Sequence, residues 1–408
     1  MGAQDGTVDV AEHLASILAV VEPFAPEDRP IAEVRGRILR APALAAVDVP
    51  AFDNSAMDGF AVRFADVQDT PVTLRVVADL PAGTAEDPRM DAAEAARIMT
   101  GAPLPTDATA VVPFEDTRAG LAGGLETVTV ERPPRADGAH IRRRGSDVRA
   151  GDVVVAAGLR LTAGRVAALA AAGIPSVPVS RAPRVAVVST GSELVPPGEP
   201  LQRGRIPESN SLLLAGLAEE AGAEVVLRGS VDDQGDGLRR AIADAAAAGA
   251  DAVVLSGGVS AGAYEVVRMS LGGVMRFSQV RMQPGRPQGF GYSPDGMLLL
   301  GLPGNPTAAA VSFELFVRPA LSALEGASDL GRPTLALTLA GSWRGRSGRT
   351  QYVPVAIDRT DPATWRAVPP APGAGGSTRG FAAAGGLAVI PPDGRDREAG
   401  DAVDVMLW

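Results

Sequence analysis

The 408-residue chain contains no cysteine and only two histidines, His13 and His140. The lack of cysteine excludes disulfides, thiolate zinc sites, iron–sulfur clusters and a cysteine nucleophile. Two imidazoles supply little material for a multi-histidine metal centre or a histidine-based catalytic triad. Acid–base and metal chemistry must therefore depend on carboxylates.

The chain also lacks any continuous apolar run near the roughly 20 residues that a bilayer span needs. Its N-terminus carries Asp5, Asp9 and Glu12 and no basic region of the kind that opens a signal peptide. The formal net charge of -10 opposes general binding to nucleic acid or anionic membranes, because like charges repel. These features predict a soluble, cytoplasmic protein in which an anionic substrate must find a local basic patch.

The hydrophobic patterns divide the chain into four predicted units. Helical periodicity over residues 8–21 and 31–39 predicts a helical linker domain made of residues 1–50 with 148–180. Short alternating runs predict a mostly β insertion over 51–147. Strands and helices alternate over 181–328, which predicts a doubly wound α/β domain with a parallel sheet, and short β runs over 329–408 predict a small, barrel-like C-terminal domain.

Three loops are predicted to follow strands of the parallel sheet, at the edge where ligands bind in open α/β sheets. They cover residues 190–194, 256–262 and 301–306. The glycine-rich middle loop, Ser-Gly-Gly-Val-Ser-Ala-Gly, follows a buried strand and precedes a helix predicted from about Tyr264, so free backbone amides there are suited to a phosphate. A tight strand-to-helix turn without a ligand is the alternative.

The third loop has the sequence Gly301-Leu302-Pro303-Gly304-Asn305-Pro306. Its prolines restrict the backbone, so it could hold a small oxyanion or a flat ring without a large loss of chain entropy. Helix capping by Asn305 is the alternative. Arg286, between Pro284 and Pro287, carries a permanently charged guanidinium suited to an oxyanion, although it also fits a solvated surface turn.

Carboxylates lie in or beside nearly every unusual loop, and together they predict an all-oxygen site for a hard cation such as Mg²⁺. Each acid taken alone also fits a solvated turn or a helix cap. The carboxylates are Asp58, Asp147, Glu193, Asp232, Asp233 and Glu265. The run Arg142-Arg143-Arg144 and the hydroxyl of Thr100 add further polar candidates, each of which also fits a surface turn.

Seven motifs in this order resemble the molybdopterin molybdenumtransferase family, the molybdenum insertases that include the gephyrin E domain. They lie at residues 53–59, 98–103, 142–147, 189–194, 256–262, 284–287 and 301–306. The resemblance implies a molybdopterin-binding α/β domain within an elongated four-domain subunit. It also implies the last step of molybdenum cofactor synthesis, in which adenylylated molybdopterin and molybdate give molybdenum-molybdopterin and AMP with the help of Mg²⁺.

The resemblance implies roles for individual residues. Catalytic roles are implied for Asp58, Thr100, Asp147, Glu193, Asp232, Glu265 and Arg286, with Asp58, Glu193, Asp232 and Glu265 as the metal ligands and Arg286 on molybdate. Substrate-binding roles are implied for Thr190, Gly191, Ser256, Gly257, Gly258, Ser260, Gly262, Pro303, Gly304, Asn305, Pro306 and Arg142. The amides of residues 257–262 would hold the terminal phosphate of the pterin.

A homodimer is implied, with each site shared between the α/β domain of one subunit and the β insertion of the other. Other enzymes of cofactor synthesis are possible transient partners. The sequence departs from the family pattern at Gln283, Ser192, Ala263 and Ala308, which removes one cation and one hydroxyl expected at the molybdate site. A non-catalytic pterin-binding scaffold of the same fold is the alternative function, and the lack of a Walker motif disfavours an NTPase.

Overall fold

The computed structural model describes residues 7–122, 125–234, 236–260, 265–361, 363–371 and 378–408. Two separate pieces of chain, within residues 31–49 and 148–179, build a first small core around Leu39, Leu161 and Leu169. The elements up to this point of the chain are β1 (Thr7–Val8), α1 (Val10–Leu18), β2 (Glu27–Pro30) and β3 (Ala43–Leu44).

Both helices predicted in this region need correction. The first is shorter than residues 8–21, because Thr7 and Val8 pair in parallel with the strand that contains Gln279 and Val280. The second, over residues 31–39, is wrong: only the 3-10 turn Ile31–Glu33 forms. Gly36 has a φ of 85° and turns the chain into an extended segment that forms isolated β-bridges. The apolar residues of this segment are therefore buried without forming a helix.

The β insertion is organised around a five-stranded sheet of order β8-β5-β7-β6-β9. Phe60 and Phe114 meet edge to face in its core. The elements here are β4 (Asn54–Ser55), β5 (Gly59–Val62), β6 (Val72–Leu80), β7 (Glu94–Ile98), β8 (Ala110–Pro113), β9 (Thr127–Val130) and β10 (Ile141–Arg142). The chain then returns to the first core through β11 (Val153–Val155), α2 (Ala163–Ala171) and β12 (Ser176–Val179).

A seven-stranded sheet of order β1-β18-β20-β21-β17-β13-β16 forms the α/β unit. Its elements are β13 (Arg184–Thr190), β14 (Leu194–Val195), β15 (Ile206–Pro207), α3 (Asn210–Glu220), β16 (Glu224–Val231), α4 (Asp236–Ala247), β17 (Ala252–Ser256), α5 (Val266–Leu271), β18 (Met275–Val280), β19 (Met282–Gln283), β20 (Pro287–Tyr292), β21 (Leu298–Leu302), α6 (Pro306–Ser312) and α7 (Arg318–Glu325). Alternate residues of β13 and β17 face opposite cores, so both faces are buried under helices.

The sequence predicts a parallel sheet, whereas the observed sheet is mixed. Strands β16, β13, β17 and β21 are parallel neighbours, whereas β20 runs antiparallel to both β18 and β21. The prolines around Arg286 predict only a turn, and no sequence pattern predicts β20. This strand begins at Pro287, directly after Arg286, and its register decides where that arginine lies.

The longest helical segment, Pro306–Glu325, consists of α6, a π-helical turn at Phe313–Val317 and α7. Within the described residues it is the one helix long and apolar enough to cross a membrane, and 94% of its most apolar window is buried inside the protein. It therefore serves as a core helix. Glu314, on its π turn, is buried in an ion-pair cluster with Arg318 and Arg332.

The C-terminal unit is a small closed barrel, because β23 pairs with both β24 and β25 in the order β19-β23-β24-β22-β26-β25. Its elements are β22 (Thr334–Leu339), β23 (Thr350–Asp358), β24 (Arg366–Val368), α8 (Thr378–Ala382), β25 (Gly386–Ile390) and β26 (Ala402–Leu407). Strand β19 joins the barrel to the α/β unit, since Met282 and Gln283 pair with Thr350 and Gln351.

Candidate active site

The carboxyl ends of β13, β17 and β21 lie side by side, with Ser189 opposite Ser256 and Ser256 opposite Leu302. The loops that follow these strands enclose a cavity of about 330 Å³, here called the strand-end cavity. Ten residues predicted for the site line it: Thr190, Gly191, Glu193, Ser256, Gly257, Gly258, Ser260, Glu265, Pro303 and Gly304. Gly262 and Tyr264 lie outside the described residues.

The glycine-rich loop is held tightly against its neighbours. Gly257 and Gly258 have φ values of 92° and 65°, and a Cβ on Gly257 would lie 2.5 Å from the carbonyl oxygen of Thr190. Only glycine fits there without strain. The Gly257 amide donates to the Leu302 carbonyl (3.0 Å) and the Ser260 amide donates to Glu265 Oε2 (2.9 Å). These two amides of the predicted phosphate loop are therefore already satisfied within the chain.

Three carboxylates line the strand-end cavity: Glu193, Asp233 and Glu265. Asp233 Oδ2 accepts from the Ser192 amide (2.8 Å), whereas the predicted ligand Asp232 accepts from Gln234 in its own turn (3.1 Å) and does not line the cavity. No cationic side chain lines it within the described residues. The same residues contain no group of three or more acidic or histidine side chains that could hold a metal ion alone.

The proline loop has two parts with different uses. Asn305 is the N-cap of α6, and its side chain accepts from the Ala308 amide (3.1 Å), while Pro306 occupies the first turn of the helix. The capping alternative thus describes Asn305. Pro303 and Gly304 instead line the strand-end cavity.

Arg286 does not line the strand-end cavity but a second cavity of about 210 Å³, here called the arginine cavity. Arg281 and Arg349 line it as well. Arg281 Nε donates to Asp9 Oδ1 (2.6 Å), whereas Arg286 and Arg349 are exposed and form no ion pair with any described residue. Pro287, next to Arg286, lines the strand-end cavity, so the start of β20 separates the two spaces.

The remaining predicted residues lie in the β insertion. Asp58 Oδ1 accepts from both the amide and the hydroxyl of Thr100, each at 2.7 Å. These hydrogen bonds hold the pKa of the Asp58 carboxyl below its usual value of 3.8. Arg142 on β10 and Asp147 are exposed. Among the described residues that line the strand-end cavity of this single chain, none belongs to the insertion.

Comparison with known proteins gives matches along nearly the whole chain. Three family models match: the MoeA N-terminal region (domain I and II) over residues 8–173, a probable molybdopterin binding domain over 186–323, and the MoeA C-terminal region (domain IV) over 336–408. Molybdopterin molybdenumtransferase 2 of Mycobacterium tuberculosis is 40% identical over 413 residues, which cover 98% of each chain. The chain belongs to the molybdopterin molybdenumtransferase family.

Further relatives agree with this membership. The molybdopterin molybdenumtransferase of Staphylococcus aureus is 33% identical over 91% of this chain and 88% of its own. The crystal structure of the molybdopterin biosynthesis MoeA protein from Pyrococcus horikoshii OT3 superposes with a TM-score of 0.82 at 27% identity, covering 99% of this chain and 100% of that one. Family membership gives the protein a role in molybdenum cofactor biosynthesis and confirms the resemblance inferred from the motifs.

Four further residues lie in or next to the two cavities without being predicted from the sequence. Asn210 lines the strand-end cavity at the start of α3, and Glu208, just before it, is buried. Their sequence, Pro-Glu-Ser-Asn-Ser, gives the signal of an ordinary helix start. Arg281 and Arg349 line the arginine cavity, and no sequence motif around either residue indicates this position.

Proposed function

We propose that this protein inserts molybdate into adenylylated molybdopterin and releases AMP. The observation that carries the proposal is the contrast between the adjoining cavities. The strand-end cavity is rich in hydrogen-bond acceptors and suits a pterin, whose pyrimidine edge presents N–H donors. The arginine cavity is cationic and suits molybdate, a dianion. The pterin, which requires hydrogen-bond acceptors, and molybdate, which requires cationic groups, would thus bind on opposite sides of Pro287.

Charge supports the arginine cavity as the molybdate site. Gln283 and Ala308 remove a cation and a hydroxyl that the family pattern supplies, but Arg281 and Arg349 provide two guanidinium groups beside Arg286. All 38 basic residues of the chain are arginines, so these groups stay charged at any physiological pH. Asp9 offsets only Arg281.

We propose that Mg²⁺ assists the reaction. Mg²⁺ commonly uses one or two carboxylates together with substrate phosphate oxygens and waters, so it needs no complete protein cage. Glu193 and Glu265 line one cavity that has no cationic side chain in its described part, and this donor set fits such an ion. Bound there, Mg²⁺ would polarise the pyrophosphate of the adenylylated substrate.

We propose a cytoplasmic homodimer in which Asp58, Thr100, Asp147 and Arg142 of one subunit complete the site of the other. Asp58 and Thr100 are hydrogen-bonded to each other and exposed. This geometry suits contact with a substrate that is bound in the other subunit. Such sharing would explain why these residues do not line the strand-end cavity of their own chain.

The test is to mix the purified protein with adenylylated molybdopterin, molybdate and Mg²⁺, and to measure AMP release and protein-bound molybdenum. We expect AMP and metal insertion in equal amounts, both lost when Mg²⁺ is removed with a chelator. Tight pterin binding without AMP release would indicate the scaffold alternative. Analytical ultracentrifugation tests the homodimer. Mixing two inactive variants that are mutated in different units tests the shared site, and we expect activity to recover on mixing.

A further inference from the structure

Asn210 has one polar atom with no partner inside the protein. Its residue is 8% exposed and lines the strand-end cavity, and Oδ1 is buried without a hydrogen-bond donor in the described part of the chain. A buried amide oxygen that stays unpaired costs free energy, so its persistence calls for a partner that arrives with the ligand.

The orientation of the amide follows from its neighbours. Asn210 Nδ2 donates to Ser256 Oγ (2.7 Å) and to the Gly304 carbonyl oxygen (2.8 Å). A carbonyl oxygen only accepts, and the Ser256 hydroxyl donates onward to the Pro303 carbonyl (3.2 Å). Exchanging the amide oxygen and nitrogen of Asn210 would place its oxygen against the Gly304 carbonyl oxygen, so that two acceptors would face each other. Oδ1 is therefore the atom left over, and it can serve only as an acceptor.

Asn210 is held rigidly at the first turn of α3. The buried carboxylate of Glu208 accepts from the Ser211 amide (2.7 Å), from the Ser211 hydroxyl (2.7 Å) and from the Ser189 hydroxyl (2.8 Å). These bonds tie the helix start to the end of β13. An acceptor positioned in this way selects a ligand by geometry, because it cannot turn to suit another group.

The chemistry around Oδ1 favours a neutral N–H donor. A phosphate oxygen is itself an acceptor, so it cannot supply the hydrogen that Oδ1 lacks. The proposed Mg²⁺ is assigned to the charged oxygens of Glu193 and Glu265 in the same cavity, which are better ligands for a hard cation than a neutral amide oxygen. An amino-pyrimidine edge, with its ring N–H and exocyclic amine, meets the requirement directly.

We propose that Asn210 Oδ1 accepts a hydrogen bond from the N–H edge of the pterin, so that this edge, and not the terminal phosphate, occupies the Ser256–Gly304 corner of the strand-end cavity. The proposal rests on the proposed function and adds an orientation of the substrate. It assigns Asn210 as a residue that determines specificity for the ring. It also agrees with the satisfied amides of Gly257 and Ser260, which are not free for phosphate.

The test compares two fluorescent probes by titration of the full-length protein in the presence of EDTA. The first is 2-amino-4-oxopteridine, which keeps the N–H edge, and the second is 1,3-dimethyllumazine, a pteridine with no ring N–H. We expect the wild-type protein to bind the first about tenfold more tightly, which corresponds to one buried hydrogen bond. In Asn210→Leu this preference should fall to about twofold or less.

Leu212→Ala is the matched control, since Leu212 is an exposed residue of the same helix turn that does not line the cavity. It should keep the tenfold preference. Equal binding of both probes by the wild-type protein, or an unchanged preference in a folded Asn210→Leu variant, would overturn the proposal for Asn210. Because AMP release is measured separately, such a result would leave the insertase function standing, whereas failure of AMP release in the wild-type protein would remove that function itself.

Discussion

Asp58 and Thr100 lie 42 residues apart in the chain, yet one carboxylate oxygen of Asp58 accepts both the amide and the hydroxyl of Thr100 at 2.7 Å. The family resemblance implies a catalytic role for each residue, but nothing in the sequence predicts that the two side chains meet. Their contact fixes the carboxylate at the end of β7 and lowers its pKa, so Asp58 is ionised throughout the physiological range. In the proposed site Thr100 would therefore position Asp58, in place of the catalytic role implied by the resemblance.

We expect Asp58→Asn to reduce AMP release by about a hundredfold with little change in thermal stability, because the exposed carboxylate contributes to the site more than to the fold. The same insertion contains a matched pair: Thr106 donates its amide and hydroxyl to Asp87, each at 2.8 Å. Asp87→Asn should stay within twofold of wild type. Equal losses in both variants would show that the pairing serves only the structure of the insertion.

Glu193→Gln should slow metal insertion about a hundredfold and raise the Mg²⁺ concentration needed for half-maximal rate, since a charged oxygen ligand becomes a neutral one. Glu199→Gln is the control, because Glu199 is exposed in the same connection and does not line the strand-end cavity. The measurement is AMP release against Mg²⁺ concentration. An unchanged Mg²⁺ requirement in Glu193→Gln would remove this residue from the metal site.

Arg349→Ala should raise the KM for molybdate at least tenfold, with a smaller effect on kcat, because a charge-assisted hydrogen bond to the anion is lost. Arg286→Ala should behave alike. Arg346→Ala removes an exposed arginine three residues away that does not line the arginine cavity, and its KM should match wild type. A rise of equal size in all three variants would indicate a general effect of charge on the approach of molybdate.

His13 gives a stability prediction with a defined pH window. It is 2% exposed and packs edge-on against Phe290 and Phe316, and this burial lowers its pKa from 6.5 to about 4. The unfolded chain therefore binds a proton at a higher pH than the folded one. The neutral histidine stabilises the fold fully above pH 6.5, and about 3 kcal/mol of that stability is lost as the pH falls to about 4.

Thermal melting between pH 7.5 and 4 checks this effect of His13. His13→Leu should remove the corresponding part of the decline in Tm, whereas His140→Asn should keep it. Asparagine is chosen for position 140 because it tolerates the positive φ of 59° found there. Parallel Tm curves for wild type and His13→Leu would contradict the shifted pKa.

Much of the α/β unit could be predicted from the sequence because its central strands are continuous apolar runs, as in β13 and β17, and both are fully or almost fully buried. Buried parallel strands lose the alternation of exposed strands but keep clear ends. Since the carboxyl ends of parallel strands share an edge, the sequence predicts that Thr190, Ser256 and Pro303 lie along that edge, and all three line one cavity there.

The destination of Arg286 could not be predicted in this way. The two prolines around it indicate a turn, but the chain enters β20 at Pro287, and antiparallel pairing with β18 carries the arginine to the opposite side of the strand end. Arg349 lies on the barrel, more than 60 residues later. Only tertiary contacts bring the two arginines to one cavity, and local sequence carries no record of such contacts.

The short strand β19 links the barrel to the α/β unit, so removing the barrel would also change the α/β unit. Its pairing with β23 clamps the barrel to the chain segment that ends at Arg286, and Gly348 and Arg349 close the far side of the same cavity. The barrel is a separate fold and also forms a wall of the arginine cavity, the space that we propose for molybdate. A variant truncated before Thr334 would keep every described residue that lines the strand-end cavity, which we propose for the pterin, but would lose Gly348 and Arg349 from the cavity proposed for molybdate.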